Sequence, residues 1–388
     1  LLGTLALCQL FGNQATTFGG GVSGGTLTNC TLLGNVSGNQ GGGAYAATVN
    51  NSLLLQNAAP YGGGAARGTL NQCNVMSNTA SQAGGGAYTS TLNRCRVVGN
   101  IASNQGGGAC LSTLNNSVLD GNFAANYGGG AVSSMVVNCT LTRNGSGQHA
   151  GGTHLCQVAN SIVYFNLSGI PGSADDLGSS FTNSCTSVDP GGIGNLTSDP
   201  HFVLLASGNL RLRPSSPCLN TGSNGLATGA LDADGNARTN GAVVDMGAYE
   251  LGFHYVAQSN PTPVAPYLTW GTAATSIQDA VDAAYVGSAI LVSNGVYDTG
   301  ARTAAGSSLS NRVVVHKALL VKSENGPNAT FILGNGPVGD DAVRCVWLTN
   351  GAALIGFTLT NGATRFTGDD STEQGGGGAW CQSAAVLI

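Results

Sequence analysis

The chain has 388 residues, a formal net charge of -5, 62 glycines and only 8% charged residues. That length admits two domains, and no apolar run approaches the ~18 residues of a membrane span. Its only lysines are Lys317 and Lys322, so it lacks the clustered basic surface that neutralising phosphates requires, which argues against nucleic acid, anionic membranes and membrane insertion.

The opening Leu1-Leu2-Gly3-Thr4-Leu5-Ala6-Leu7-Cys8 lacks a starting Met and a basic flank, so it reads as part of a repeat rather than a signal peptide. Any targeting signal is expected outside this sequence. From Gly19 onward, Gly-Gly-Gly returns at Gly41, Gly62, Gly84, Gly106 and Gly128, then as Ala150-Gly151-Gly152, in steps of 22, 21, 22, 22, 22 and 22 residues. Such regularity marks a stack of supersecondary units.

Four columns follow the same period. The first is Leu5, Leu27, Val49, Leu70, Leu92, Leu114, Val136 and Val158. A small column follows, with Cys8, Cys30, Cys73, Cys95 and Cys139 alternating with Ser52, Ser117 and Ser161. The third is aliphatic, from Leu10 and Leu32 through Leu54, Val75, Val97, Leu119 and Leu141 to Val163. The fourth is asparagine throughout: Asn13, Asn35, Asn57, Asn78, Asn100, Asn122, Asn144 and Asn166.

The small and aliphatic columns lie two residues apart around a variable residue, which is strand periodicity. The glycine triplets leave no room for a helix of ten residues or so. The period therefore predicts one coil of a parallel β-helix over residues 1–184, with coils about 4.8 Å apart. Asparagine in register can pass amide hydrogen bonds from coil to coil, and glycine suits a corner with positive φ. The variable stretches between Asn and Gly, such as Val36 to Gln40, read as outward loops.

The Gly-Gly-Gly-Ala-Tyr segments, together with tetrads such as Leu32-Leu33-Gly34-Asn35 and Val163-Tyr164-Phe165-Asn166, resemble the repeats of polymorphic outer-membrane proteins and related bacterial right-handed, pectin-lyase-like β-helices. The resemblance implies a surface or secreted protein, often adhesive. The family's Phe in FxxN is mostly Leu or Val here.

Residues 185–251 carry Asp199-Pro200-His201-Phe202, Arg211 to Cys218, Asp232 to Arg238 and Asp245 to Glu250. They are similar to the closing region of choice-of-anchor Q proteins, which implies a C-terminal cap over the last coil. Pro261, Pro263 and Pro266 mark residues 252–268 as a linker. Beyond it, residues 269–388 read as the start of a second β-helix. A plugging helix is expected near 276–285, with Ile277, Ala280, Val281 and Ala284 on one face, followed by apolar strands from Ala289 to Leu348. Gly375 to Cys381 opens a new glycine lattice, so the sequence is expected to be one unit of a longer tandem array.

Catalytic chemistry is sparse. Residues 1–174 contain one acid, Asp120, and no lysine, whereas glycoside hydrolysis needs two carboxylates about 5–10 Å apart. The clusters Asp340-Asp341 with Arg344, and Asp369-Asp370 with Glu373, lie in glycine-rich loops and read as turns. Asp232, Asp234 and Asn236 are spaced like part of a calcium loop without its later bidentate Glu. A turn is favoured, with calcium the only candidate cofactor. His149 and His154 read as structural rather than metal-binding. The column cysteines read as packing groups, with Cys8–Cys30 and Cys73–Cys95 the pairs close enough to bridge. Sequons are frequent, but those on lattice asparagines are expected to be buried.

The sequence thus predicts a non-catalytic structural repeat of an extracellular bacterial protein, forming a rigid rod or a fibre with copies of itself or adjacent repeats. One alternative is an adhesin stalk binding glycans, with Tyr45, Tyr61, Tyr88 and Tyr127 on one ridge. Another is a polysaccharide lyase or hydrolase.

Overall fold

The computed structural model describes residues 3–388 except 214, 240–242 and 350, so Leu1, Leu2 and Pro214 of the segments above lie outside the described residues. The chain folds as two compact units, 1–250 and 251–388.

In the first unit nearly every strand is two or three residues long, and each coil supplies one strand to each of four parallel sheets. Sheet A runs from Thr4–Ala6 to Ser180–Thr182, and sheet B from Gln9–Phe11 to Cys185–Thr186, with nine strands each. Sheet C (Gln14–Ala15 to Leu167–Ser168) and sheet D (Val22–Ser23 to Asp176–Leu177) have eight each. The result is a parallel β-helix of about eight coils.

Pairing follows the sequence period. Leu70 pairs with Leu92, and Leu92 with Leu114, in sheet A, while Val75 pairs with Val97 in sheet B. These side chains are fully buried in one continuous core with the column cysteines. Burying a Leu contributes about 1.5–3 kcal/mol, and coil stacking multiplies that term along the axis.

The glycine triplets are required by the neighbouring coil as well as by the turn. Gly84 has φ +69°, and a Cβ at Gly85 would lie 2.5 Å from the carbonyl oxygens of both Gly107 and Ile101. No side chain fits there.

The segment expected to cap the last coil lies elsewhere. Residues 187–198 add a partial rung through the bridges Thr182–Ile193 and Cys185–Leu196. The chain then folds back along the outer face of sheet B. There Phe202, Leu210, Leu212, Cys218, Met246 and Ala248 pack on Val118, Ile162 and Cys185. Backbone contacts fix this side segment: Ala248 N donates to Thr140 Oγ1 at 3.0 Å, and Gly247 N to Asn160 O at 2.8 Å. The physical reason is that the outward positions of sheet B are mostly polar at first (Gln9, Thr31, Leu53, Asn74 and Arg96), whereas Val118, Ile162 and Cys185, with Thr140 among them, form an apolar surface that has to be covered.

The second unit is a parallel β-helix with longer coils. One of its sheets has the order Phe253–Val256, Ala289–Val292, Leu320–Ser323, Ala353–Ile355 and Val386–Leu387. Residues 252–268 are therefore not simply a linker: Phe253–Val256 pairs in register with Ala289–Val292 and buries His254 and Val256. The helix Ile277–Ala283 buries Ile277, Ala280 and Val281, and Ser276 Oγ accepts from Asp279 N at 3.1 Å to cap it. At its other end Lys317 Nζ donates to the carbonyls of Val281, Asp282 and Ala284, the cationic partner that a helix C-terminus favours.

Candidate functional site

The asparagine column forms a hydrogen-bonded ladder at the corner between sheets B and C. In the middle of the stack, Asn100 Nδ2 donates to Asn122 Oδ1 at 2.9 Å and to Val75 O at 2.9 Å, while Asn78 N and Asn78 Nδ2 both donate to Asn100 Oδ1 at 2.9 Å. The same pattern links Asn35, Asn57, Asn78, Asn122, Asn144 and Asn166. Asn13 joins by donating to Asn35 Oδ1 at 2.8 Å, though it is solvent-exposed. The buried sequon asparagines Asn35, Asn144 and Asn166, with Asn138, are closed to glycosylation.

The ladder ends on a residue absent from the column. Asp175 Oδ1 accepts from Asn166 N at 3.0 Å and from Asn166 Nδ2 at 2.9 Å, while its other oxygen accepts from the backbone and hydroxyl of Ser187. The last rung needs only acceptors, and a carboxylate supplies them.

Cysteine and serine alternate because both perform the same hydrogen bonding. Cys95 N donates to Ser117 Oγ at 3.0 Å, Ser117 N to Cys139 Sγ at 3.4 Å, and Cys139 N to Ser161 Oγ at 3.0 Å. Each side chain in turn donates to the carbonyl two residues before it, as Cys95 does to Asn93 and Ser117 to Asn115. Cys30 and Cys73 take the same role, and Cys8 does so half-buried. A second ladder of this kind, Ser90, Ser112, Ser134 and Cys156, lies between sheets D and A. Burial pushes the thiols of Cys139 and Cys156 up to about 12, so they are not nucleophiles.

Asp120, the lone acid among residues 1–174, is occupied. Arg143 Nε donates to Asp120 Oδ1 at 2.8 Å, a second guanidinium nitrogen meets Oδ2, and Arg143 Nη1 donates to Leu205 O at 2.8 Å. The bidentate pair is buried on the aspartate side beneath the side segment.

The calcium candidates are occupied as well. Asp232 Oδ1 accepts from Asp234 N at 3.0 Å and Asn236 N at 2.7 Å, and its Oδ2 accepts from Glu250 N at 2.9 Å. Asp234 is held by Arg211 at 2.6 Å and 2.7 Å, and Asn236 Nδ2 points back to Asp232 at 3.4 Å. These residues form a turn that locks the side segment rather than an open ring of oxygens. Burial raises Asp232 above the usual carboxylate range, and Glu250, also raised by burial, pairs with buried Arg238 at 3.2 Å.

The four tyrosines do share one ridge, over the glycine corner. Phe18 stacks on Tyr45 with centroids 4.4 Å apart, Tyr61 meets Tyr88 at 5.1 Å, and Tyr127 stacks on His154 at 5.0 Å and His149 at 5.9 Å. A ring before one glycine triplet packs on the ring after the next triplet, so much of each face is turned toward another ring. Small residues interleave: Ala83, Cys110 and Val132 are buried beneath the same ridge. Arg67 Nε donates to Gln40 Oε1 at 3.0 Å beside it.

In the second unit Arg344 stands apart from Asp340, whereas Asp369 and Glu373 stay together, Asp369 N donating to Glu373 Oε2 at 3.3 Å. Arg344 is fully buried and donates to the carbonyls of Gly376, Thr372 and Gly375, while Asp340 pairs instead with Arg365 at 2.9 Å. Asp369 Oδ1 collects the backbone and hydroxyl donors of Ser371 and Thr372. An open cleft beside the helix holds Asp282, which Arg302 meets at 2.5 Å and His316 at 3.8 Å. Among the described residues no three His, Cys, Asp or Glu side chains are grouped to hold a metal, and no helix is long and apolar enough to cross a membrane.

No family model matches the chain, and no curated protein does. Among solved structures it is similar to the PL6 family alginate lyase AlyGC. A mutant form aligns at 9% identity and TM-score 0.26, over 100% of this chain and 72% of that one. A second structure of AlyGC aligns at 10% identity and TM-score 0.20, over 91% and 70%. At such scores the likeness carries no argument about activity.

Proposed function

We propose that the chain is a non-catalytic structural segment of an extracellular or cell-surface protein, its first unit a rigid β-helical rod joined to adjacent repeats or to copies of itself. The observation that carries this reading is the occupation of Asp120, whose carboxylate is bound on both oxygens by Arg143. Three polar ladders running through the coils add axial stiffness, because bending must strain hydrogen bonds in every coil it crosses. Electron microscopy of the purified protein tests the proposal: elongated particles or end-to-end filaments are expected. Compact particles, or release of unsaturated oligosaccharides from alginate, pectin or hyaluronan, would refute it.

The ridge over the glycine corner favours a second reading, a stalk that binds neutral glycans. Apolar sugar faces pack on aromatic rings, and on this ridge Tyr61 and Tyr88 are tilted rather than stacked, at 46°. Replacing both by Ala should abolish retention on immobilised glycans while leaving the fold unchanged. Unchanged retention would remove this reading.

A further inference from the structure

We propose that the outer face of sheet A binds ice. Five successive strands of this sheet, Thr26–Thr28, Thr48–Asn50, Thr69–Asn71, Thr91–Asn93 and Thr113–Asn115, share one pattern, a buried Leu or Val between two half-buried outward residues. Pairing places Thr26, Thr48, Thr69, Thr91 and Thr113 in one outward column and Thr28, Asn50, Asn71, Asn93 and Asn115 in a second, with no register shift between coils. The two columns make a grid spaced about 4.8 Å along the coil axis and about 6.6 Å along the strand. No charged or aromatic residue stands in it.

The grid is fixed before anything meets it. Asn115 Nδ2 donates to Asn93 Oδ1 at 3.0 Å, Asn93 Nδ2 to Asn71 Oδ1 at 2.9 Å and Asn71 Nδ2 to Asn50 Oδ1 at 2.8 Å, while Asn50 Nδ2 reaches Thr28 Oγ1 at 3.5 Å. Thr228 of the side segment closes this outer ladder, its hydroxyl donating to Asn115 Oδ1 at 3.1 Å. Side-chain ladders of this kind keep a sheet flat. The threonines beside it are β-branched and stiff at χ1. Among the described residues no protein group bonds to the hydroxyls of Thr48, Thr69, Thr91 and Thr113, so each keeps a donor and two acceptor sites for a ligand.

These properties select the ligand. Ice is a neutral lattice of water whose oxygen atoms repeat at close to the coil spacing, so successive coils meet it at equivalent places and their contacts add along the axis. Each contact is weak, and the sum survives only where the protein loses little freedom on binding, as a locked grid does. A charged side chain would have to surrender its hydration shell to such a surface, and the grid holds none. Neutral glycans pack on aromatic rings, which this chain carries on the glycine corner instead. The grid ends at the next coil, where Met135 and Val137 follow Thr113 and Asn115 in register.

The test uses the full chain, in dilute solution with an inert reference protein, frozen slowly onto a cold finger; both proteins are then measured in the ice and in the remaining liquid. The parent chain should be enriched in the ice relative to the reference. Thr69→Tyr, whose ring would stand above the middle of the grid, should fall to the level of the reference. Thr79→Tyr, the same change at an exposed outward position of sheet C, should keep the parental enrichment, as should Tyr61→Ala combined with Tyr88→Ala, which separates this face from the aromatic ridge. Amide hydrogen exchange establishes that each variant is folded, and Thr48→Tyr replaces Thr69→Tyr if the latter is not. Exclusion of the parent from ice to the same extent as the reference, parental enrichment of the folded Thr69→Tyr, or loss of enrichment in Thr79→Tyr would overturn the proposal. So would sedimentation showing an associated parent and a monomeric Thr69→Tyr with neither entering the ice, since the face would then be a contact between copies.

Discussion

Replacing Asn100 by Ala tests whether the asparagine ladder stabilises the stack or merely fills a corner. The substitution removes four hydrogen bonds: two accepted from Asn78 and one donated to each of Val75 O and Asn122 Oδ1. Two Asn78 donors lose this acceptor in a site with no exposure, whereas Asn122 Oδ1 keeps the Asn100 backbone donor at 3.0 Å. At about 1–3 kcal/mol for each of these two stranded buried donors, the loss should be about 2–6 kcal/mol. Asn13→Ala removes a donor to Asn35 Oδ1 from a solvent-exposed residue, so it should cost less than about 1 kcal/mol. Coil arrays unfold by segments as well as globally, so amide hydrogen exchange at Asn78 and Thr79 is the sensitive readout, with urea unfolding as a second. Asn100→Asp should be no better than Ala, because its carboxylate would face Val75 O and Asn122 Oδ1 without a proton to give. The reasoning fails if Asn100→Ala and Asn13→Ala prove equally mild.

Asp175→Asn should lower stability by about 1–3 kcal/mol, since all four donors around Asp175 need acceptors and an amide NH2 must face one of them; a neutral result in urea titration would refute the acceptor-only rung. Gly85→Ala should cost at least about 3 kcal/mol, beyond ordinary overpacking, because backbone oxygens lie 2.5 Å from the new Cβ on two sides; soluble protein with parental stability would contradict this. His254 provides the pH test. Burial lowers its pKa below the ordinary 6.5 while Nδ1 contacts Pro266 O at 2.6 Å. A depressed folded pKa confers stability that is present above 6.5 and lost as pH falls toward the folded value, by up to about 1.4 kcal/mol per unit. Thermal unfolding of the second unit should therefore weaken between pH 7 and 5, and His254→Gln should flatten that slope.

What the sequence made legible was whatever repeats. Identical residues 22 apart placed the core columns, the glycine corners and the asparagine ladder, because in a parallel stack translation in sequence is translation in space. Breaks in the period were opaque. Asp175 completes the asparagine ladder but follows Asn166 by nine residues, so no column contains it. The position of the side segment is not legible from the period, because Val118 and Ile162 occupy a variable outward position, and only their burial against Leu210 and Met246 marks that face as covered. Pro261, Pro263 and Pro266 drew attention away from Phe253–Val256, whose burial of alternate residues is the strand signal. The tyrosine ridge was legible from spacing alone, but stacking between successive coils depends on the offset of one ring before a triplet and one after the next, which no single column shows.

The same translation explains why this chain carries so little charge. A side chain repeated in register must satisfy its own copy one coil away. Asparagine, serine and cysteine can, because each both donates and accepts; aspartate, lysine and arginine cannot. Like charges about 4.8 Å apart would repel by about 3–4 kcal/mol per neighbouring pair at an effective dielectric of 20. Within the regular coils charge is therefore sparse and never repeated in register: Arg67, Arg94 and Arg96 have uncharged residues at the matching positions one coil away. Asp175 ends a ladder, Asp120 meets Arg143 where the side segment begins, and Asp232, Arg238 and Glu250 lie within that segment. In a β-helix built this way, reactive carboxylates have to be sought in the irregular parts, and in the first unit Asp120, Asp175, Asp232 and Glu250 are bound into its framework.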